Sequence, residues 1–371
     1  MSKNVIISGG GTGGHIMPAL ALAQYLKKTR PELRIIFAGR KNSMEARLAA
    51  EYSLEFRSIP SAPKGRGFKI IKNAFLNLAG FFAALKLMLL ENPCAIAAFG
   101  GYTSGSLLLA GRIARKNCLI HESNAIPGRV TRLLVNFGVK IALGLDNDSQ
   151  IMTDLKRKAS LKGGLRVTGT PLREEFSKPP ADFSDELPGY DTNLPLILIF
   201  GGSQGAHNVN LLTRKAAHIL LNKGLAFQLV HVCGANDVNE LKSAYHAAGV
   251  KAWVFPFVKR LPDLLGLATL CVARSGALSV AEIAARGVPA LLIPLPFAAD
   301  GHQLANAKTL EKIGAAIVGE EKDLTPEKTA KILGDLLEDK EKLAAMRKAA
   351  LESGLSDGCE ATAKFLLGEN A

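Results

Sequence analysis

The sequence has little from which to build a disulfide framework, a metal centre or a membrane span. Its five cysteines (Cys94, Cys118, Cys233, Cys271, Cys359) are scattered, odd in number and never form CxxC. That argues for a reducing compartment and against disulfide stapling or a zinc site. None of the seven histidines stands at H-x-x-x-H or a similar ligand spacing. Aromatic residues make up only 6% of the chain, and no RRM, KH or helix-turn-helix signature accompanies them, so nucleic-acid binding is not expected. The N-terminal residues run straight into a strand-like run and do not read as a signal peptide. The longest apolar stretch, residues 73–85, is interrupted by Lys86, short of the ~20 residues needed to cross a bilayer.

What is present is a long chain with lopsided charge. Its 371 residues exceed the ~250–300 at which single cores stop growing, so two domains are expected. Residues 1–170 hold 25 Lys and Arg against 9 Asp and Glu, while residues 171–371 hold 21 against 24. The whole excess of +13 therefore comes from the first half. A one-sided basic domain suits an anionic partner, either a membrane surface or nucleic acid.

Continuous apolar runs at residues 4–8, 33–38, 95–98, 118–121, 141–143, 194–200, 228–233, 252–254, 270–273 and 290–293 read as buried parallel strands. Helical patterns lie between them, the rhythm of doubly wound α/β domains. The two halves match in kind: Val5-Ile-Ile-Ser-Gly-Gly-Gly-Thr-Gly-Gly-His15 and Leu198-Ile-Phe-Gly-Gly-Ser-Gln-Gly-Ala-His207 are each strand, glycine loop, helix. A linker rich in Pro and acidic residues, roughly 171–193, separates them. The expectation is two Rossmann-like domains facing a cleft, 1–170 and 171–349.

Gly9, Gly11 and Gly14 satisfy G-x-G-x-x-G, where bare backbone and helix N–H groups can meet an anion. A dinucleotide oxidoreductase is one reading. The acid it would need at the end of the second strand is missing, and Phe37-Ala38-Gly39-Arg40-Lys41 stands there instead. Arg40 keeps an NADP enzyme open as an alternative. His15, at the loop's exit with Pro18 placed in the first helical turn, is a candidate acid or base, or else a packing histidine. In the second loop, Ser203 can donate to a phosphate.

The stretch Arg274-Ser-Gly-Ala-Leu-Ser-Val-Ala-Glu282 reads as strand end, turn and helix start. The helix N-terminus suits a departing nucleoside diphosphate, on which negative charge builds. Positions 275, 278, 279 and 282 share a face. Ser279 would lie near the phosphates, and Glu282 could accept from both ribose hydroxyls or be a solvated surface acid. Asp300, His302, Gln303 and Asn306 offer hydrogen bonds to a sugar ring, or form an ordinary polar loop.

Six stretches, in order and across nearly the whole chain, carry a family resemblance: Gly10-Gly-Thr-Gly-Gly-His15, His121-Glu-Ser-Asn-Ala-Ile-Pro-Gly128, Gly169-Thr-Pro-Leu-Arg173, Gly201-Gly-Ser-Gln-Gly-Ala206, the segment 274–282, and residues 300–306. The chain resembles the MurG family of UDP-N-acetylglucosamine transferases, which make lipid II from lipid I in peptidoglycan synthesis. The resemblance implies a GT-B fold whose C-terminal helix, about 350–371, packs back on the first domain. It implies inverting transfer of N-acetylglucosamine to the C4 hydroxyl of N-acetylmuramic acid in undecaprenyl-pyrophosphoryl-MurNAc-pentapeptide. No cofactor and no metal is implied.

By motif match, donor contacts fall on Thr12, Gly13, Gly14, Asn124, Arg173, Ser203, Val258, Ala277, Leu278, Ser279, Val280, Ala281, Glu282 and Gln303. Val258 would meet the uracil, Glu282 the ribose, Ser203 and residues 276–279 the diphosphate, and Gln303 the sugar. His15 and Glu122 are the candidate bases. Thr170, Ser123 and Ser279 stand where the family usually has Asn, Gln and Thr. Basic residues Lys64, Arg66, Lys69 and Lys72 precede an apolar helix, 75–90, which suggests peripheral attachment at the cytoplasmic membrane face, or else a core helix with a basic cap. A different GT-B acceptor and a non-catalytic binding protein are the remaining alternatives.

Overall fold

The computed structural model describes residues 3–62, 69–202, 205–355 and 358–369. The chain forms two compact units, Met1–Glu174 with Asp357–Ala371, and Glu175–Ser356. The first contains strands β1 (Asn4–Ser8), β2 (Arg34–Gly39), β3 (Glu55–Ser58), β4 (Ala95–Ala98), β5 (Asn117–Glu122), β6 (Lys140–Leu143) and β7 (Leu165–Val167). Between them run α1 (Gly13–Thr29), α2 (Met44–Glu51), α3 (Lys69–Glu91), α4 (Tyr102–Ile113), α5 (Arg129–Leu134) and α6 (Gln150–Lys162). The sheet is parallel throughout, in the order β3-β2-β1-β4-β5-β6-β7. Side chains alternate across it. Val5 and Ile7 join a core with Ile16, Leu20 and Leu26 of α1, while Ile6 joins one with Ala84, Met88, Leu107 and Leu108 of α3 and α4.

The second unit contains β8 (Leu196–Phe200), α7 (His207–Asn222), β9 (Gln228–Val232), α8 (Val238–Ala247), β10 (Ala252–Phe255), α9 (Leu261–Leu267), β11 (Leu270–Ala273), α10 (Ala277–Arg286), β12 (Ala290–Leu292), α11 (His302–Lys312), β13 (Ala316–Val318), α12 (Pro326–Glu338) and α13 (Lys340–Leu351). Its parallel sheet runs β10-β9-β8-β11-β12-β13. Ile197, Ile199, Leu270, Val272 and Leu291 pack there against Val209, Ala216, Leu220 and Leu333.

A last helix, α14 (Gly358–Leu367), belongs to the first unit and buries Ala363, Phe365 and Leu366 beside β4 and β5. Lys140 Nζ donates to the Phe365 carbonyl at 3.0 Å, and the Arg166 guanidinium lies 5.0 Å from the Phe365 ring centroid. The helix starts hard against the sheet: a Cβ on Gly358 would stand 2.2 Å from the Thr170 carbonyl carbon.

Two expectations need correction. Pro18 lies in the second turn of α1, not the first. There it removes the donor that the Gly14 carbonyl would receive within the helix. The apolar stretch does not end near Leu85 either. Helix α3 continues past the exposed Lys86 to Glu91, and by length and composition Ile70–Glu91 could cross a membrane. Its place in the fold says otherwise. It connects β3 to β4, both paired in one sheet, and it buries Ala84, Leu87 and Met88 in the core.

Candidate active site

Each sheet reverses its order once, between β1 and β4 in the first unit and between β8 and β11 in the second. Ligands of open parallel sheets bind beyond the carboxyl ends of the strands at such a reversal, because the loops there diverge and leave a crevice. The glycine loops flank both reversals.

In the first unit, residues 9–12 lead from β1 into α1. Thr12 is the helix N-cap, with no capping bond from its side chain, and Gly13, Gly14 and His15 form the first turn. The backbone must be bare here, since a Cβ on Gly9 would sit 2.4 Å from the His15 carbonyl oxygen. A second loop, Gly100-Gly101-Tyr102 after β4, was not singled out from the sequence. Gly101 is the N-cap of α4 with φ +88°, and its Cβ would stand 2.4 Å from the Gly10 oxygen. Two helix N-termini without side-chain caps thus open beside touching loops, which concentrates N–H donors and positive dipole ends. The repeated Gly-Gly after an apolar strand was the available signal.

His15 has a defined tautomer. Its Nδ1 lies 3.2 Å from the Gly10 carbonyl oxygen, which can only accept, so Nδ1 carries the proton and Nε2 the lone pair. The imidazole lies along Gly100, where a Cβ would come within 3.0 Å of Nε2. Any side chain there would cover the basic nitrogen.

Glu122 ends the buried strand β5 and accepts four hydrogen bonds. Asn124 N and Nδ2 donate to Oε1 at 3.2 and 3.3 Å, and Gly128 N and Thr131 Oγ1 donate to Oε2 at 2.8 and 2.7 Å. All four partners lie on its own loop and on α5. This is a carboxylate organising a loop. His121 beside it donates from Nε2 to the Gly169 carbonyl at 2.9 Å, and its Nδ1 faces Ser123 Oγ at 3.2 Å. Burial pushes His121 down to about 4 against a smaller upward pull from Gly169. Arg173 is half-buried at the end of this unit.

Arg40 lies beside a carboxylate. Its main-chain N–H donates to Glu45 Oε1 at 3.2 Å, and its guanidinium lies 3.8 Å from the same oxygen. Glu45, only 2% exposed, is the acid missing from the second strand's end, supplied from α2 and closed off from ligand.

In the second unit, Gly201 and Gly202 leave β8, and Gly205 and Ala206 enter α7; Ser203 lies outside the described residues. Across the reversal, Gly276 is the N-cap of α10, so the first-turn N–H groups of Ala277, Leu278 and Ser279 have no capping side chain. Ala277, Val280 and Ala281 are buried, Leu278 and Ser279 half-buried. Glu282 is 6% exposed, so the surface-acid reading is overturned. Helix periodicity puts it one turn beyond Ser279.

The turn before α10 is stapled to α11. Ser275 Oγ donates to the Gln303 carbonyl at 2.8 Å, and Asn306 Nδ2 donates to the Ser275 carbonyl at 3.1 Å. The Gln303 side chain accepts from Leu295 N at 2.9 Å through Oε1, so its amide hydrogens are the groups aimed elsewhere. Asp300, at φ +53°, and Gly301, at φ +68°, are both left-handed where the chain enters α11. Such a turn costs a non-glycine residue about 1 kcal/mol and re-aims the helix start. Arg274, nearly buried, donates to the carbonyls of Ile293 at 3.2 Å and Pro294 at 3.0 Å and pairs with Glu321 at 2.6 Å. It thereby ties together the ends of β11, β12 and β13. Val258 is half-buried in the loop after β10. Among the described residues, no three His, Cys, Asp or Glu side chains gather as metal ligands.

Family models agree with this architecture. Residues 5–143 match the glycosyltransferase family 28 N-terminal domain, and residues 196–361 match its C-terminal domain. The UDP-N-acetylglucosamine–N-acetylmuramyl-(pentapeptide) pyrophosphoryl-undecaprenol N-acetylglucosamine transferase of Acetivibrio thermocellus is 33% identical over 96% of this chain and 95% of its own. The enzyme of the same description from Syntrophus aciditrophicus is 35% identical over 97% and 99%. The crystal structure of Acinetobacter baumannii MurG superposes with a TM-score of 0.78 at 28% identity, covering 99% of both chains. The fold is GT-B, and the oxidoreductase reading is set aside. The chain belongs to glycosyltransferase family 28, among the UDP-N-acetylglucosamine–N-acetylmuramyl-(pentapeptide) pyrophosphoryl-undecaprenol N-acetylglucosamine transferases.

Proposed function

We propose that this protein transfers N-acetylglucosamine from UDP to the C4 hydroxyl of N-acetylmuramic acid in undecaprenyl-pyrophosphoryl-MurNAc-pentapeptide, with inversion. The observation that carries this reading is the α10 start, an N-terminus without a side-chain cap and with a buried carboxylate one turn along. That pairing suits a nucleoside diphosphate: phosphates on the N–H groups of Ala277, Leu278 and Ser279, ribose hydroxyls on Glu282, uracil near Val258. Ser203 and the loop around it add donors to the diphosphate. Gln303 donates its amide to the sugar, since its oxygen is occupied. As the glycosidic bond breaks, negative charge grows on the departing phosphate, and the helix start stabilises it without reorganising.

The acceptor hydroxyl loses its proton to His15 Nε2, the lone-pair nitrogen of the tautomer that Gly10 selects. An imidazole changes protonation near neutral pH, as this step needs. Glu122 shapes the loop that presents Asn124 and acts as a positioning residue. The N–H groups of Gly13 and Gly14 suit phosphate oxygens, and Arg173 supplies a cation to them.

Membrane attachment through the first unit is part of the proposal. Phe75, Leu78 and Phe82 of α3, Ile113 at the end of α4 and Leu133 of α5 are exposed. The neighbouring surface carries Lys72 and Arg129. Lys64 and Arg66 lie outside the described residues. Exposed apolar side chains on a unit that also exposes cations suit an anionic bilayer surface. Reversing the charge of Lys64, Arg66, Lys69, Lys72 and Arg129 is expected to abolish co-sedimentation with phosphatidylglycerol vesicles; undiminished binding would show that these cations play no part.

Label transfer tests the reaction. The protein is incubated with labelled UDP-N-acetylglucosamine and a polyprenyl-pyrophosphoryl-MurNAc-pentapeptide in detergent, and the lipid is extracted. Label in the lipid that disappears without acceptor is the expected result. No transfer, with UDP still raising the melting temperature, would leave the donor site standing and remove this acceptor.

A further inference from the structure

A buried polar chain lies behind the glycine loop of the second unit. Tyr245 of α8 places its hydroxyl 2.9 Å from His231 Nδ1 on β9, and His231 Nε2 is 3.0 Å from Asn210 Oδ1 on α7. Asn210 Nδ2 donates to the Cys233 carbonyl at 2.9 Å and to Asp237 Oδ2 at 2.7 Å. Asp237 also receives His207 Nδ1 at 3.0 Å. Tyr245, His231 and Asn210 are each at most 2% exposed.

The chain can run only one way. A peptide carbonyl and a carboxylate both accept, so the Asn210 amide hydrogens must face them and its oxygen must face His231. His231 therefore carries its proton on Nε2, and its bare Nδ1 accepts from the Tyr245 hydroxyl. Burial pushes His231 down to about 3 and raises Tyr245, which keeps both neutral. Partial burial raises Asp237, but the bonds from Asn210 and His207 outweigh it and hold the carboxyl below its ordinary range.

The glycine loop rests on this chain. Gly205, at φ +76°, lies so close to the Cys233 carbonyl that a Cβ would be 2.3 Å from its oxygen. That carbonyl is the one that accepts from Asn210 Nδ2. His207, two residues on, opens α7 and is tied to the same Asp237. Ordinary packing would give apolar side chains behind the loop, and it would not account for a fully satisfied, directional set of four buried or half-buried polar groups.

We infer that Tyr245, His231 and Asn210 are positioning residues for the donor: their one-way hydrogen-bond chain fixes the Cys233 carbonyl under Gly205, and so the loop that receives the nucleoside diphosphate. The inference rests on the donor site proposed above. Removing the far end of the chain should therefore weaken nucleotide binding from a distance while leaving the chemical step alone.

The test is Tyr245→Phe, which deletes one hydroxyl, read by UDP affinity and by steady-state transfer. The orphaned buried acceptor loosens the chain that holds the loop, and the UDP Kd and the donor KM are expected to rise about five- to fiftyfold. The kcat at saturating donor should change less than about threefold. Leu220→Val, in the same core about 20 Å along α7 from the loop, serves as the control for general loosening. His231→Gln keeps a donor and an acceptor in place and should hold KM near the wild-type value, whereas His231→Leu should raise it. Unchanged KM and Kd in Tyr245→Phe, an equal rise in Leu220→Val, or a fall confined to kcat would each overturn the inference. Should Tyr245→Phe fail to fold, the His231 pair decides: equal KM values for Gln and Leu overturn it. Wild-type protein that does not bind UDP would defeat the donor site itself, an outcome distinct from all of these.

Discussion

His15→Ala is expected to lower kcat for transfer by about 10²–10⁴-fold, with donor KM within about threefold of wild type. The split follows from the geometry. The imidazole is fixed to Gly10 through Nδ1, and the proposed base role leaves the proposed donor groups of the second unit untouched. His15→Gln keeps a donor for Gly10 and supplies no base, so it should be as slow as alanine while folding better. Two further outcomes are informative. Loss of activity through a large rise in donor KM would make His15 a binding residue. A pH–rate profile whose acidic limb, the fall in rate as the base is protonated, survives in His15→Gln would move the base elsewhere.

Acidification from pH 7 to pH 5 is expected to destabilise both units by about 2 kcal/mol each. His121 in the first unit and His231 in the second are held near about 4 and about 3 by burial. An exposed imidazole in the unfolded chain titrates near ~6.5. Between those values the unfolded state binds more protons than the folded one, so stability rises with pH. The contribution is complete above about pH 6.5 and is lost as pH falls toward the folded values. At that size, melting midpoints should fall by about 4–8 °C between pH 7 and pH 5. His121→Gln and His231→Gln should each flatten the slope of their own unit, and calorimetry at several pH values would reveal a slope they leave untouched.

The glycine loops, His15 and the 274–282 segment were legible because their chemistry is local. A strand end, a bare backbone and a helix start follow one another within about ten residues, and sequence order is spatial order there. The ten apolar runs all became strands for the same reason. The three strands that went unread, β3, β7 and β13, are all sheet edges. Glu55 and Arg57 in β3 and Arg166 in β7 break the apolar run, because an edge strand has solvent on one side and pairs on the other.

What the sequence determined by itself is therefore the alternation of buried strands with helices, the basic first half and the residue types at each strand end. What only the tertiary structure decided is which strands pair and what each polar group bonds to. Glu282 had the spacing of a surface acid and is buried; Glu122 accepts four bonds from its own loop and α5; Arg40 is turned to Glu45. Tyr245, His231 and Asn210 carried no motif, for they stand on three different elements. The reason is the same in each case. A side chain's protonation and hydrogen bonds are set by neighbours distant in sequence and by the loss of water on burial, and neither is written in the order of residues.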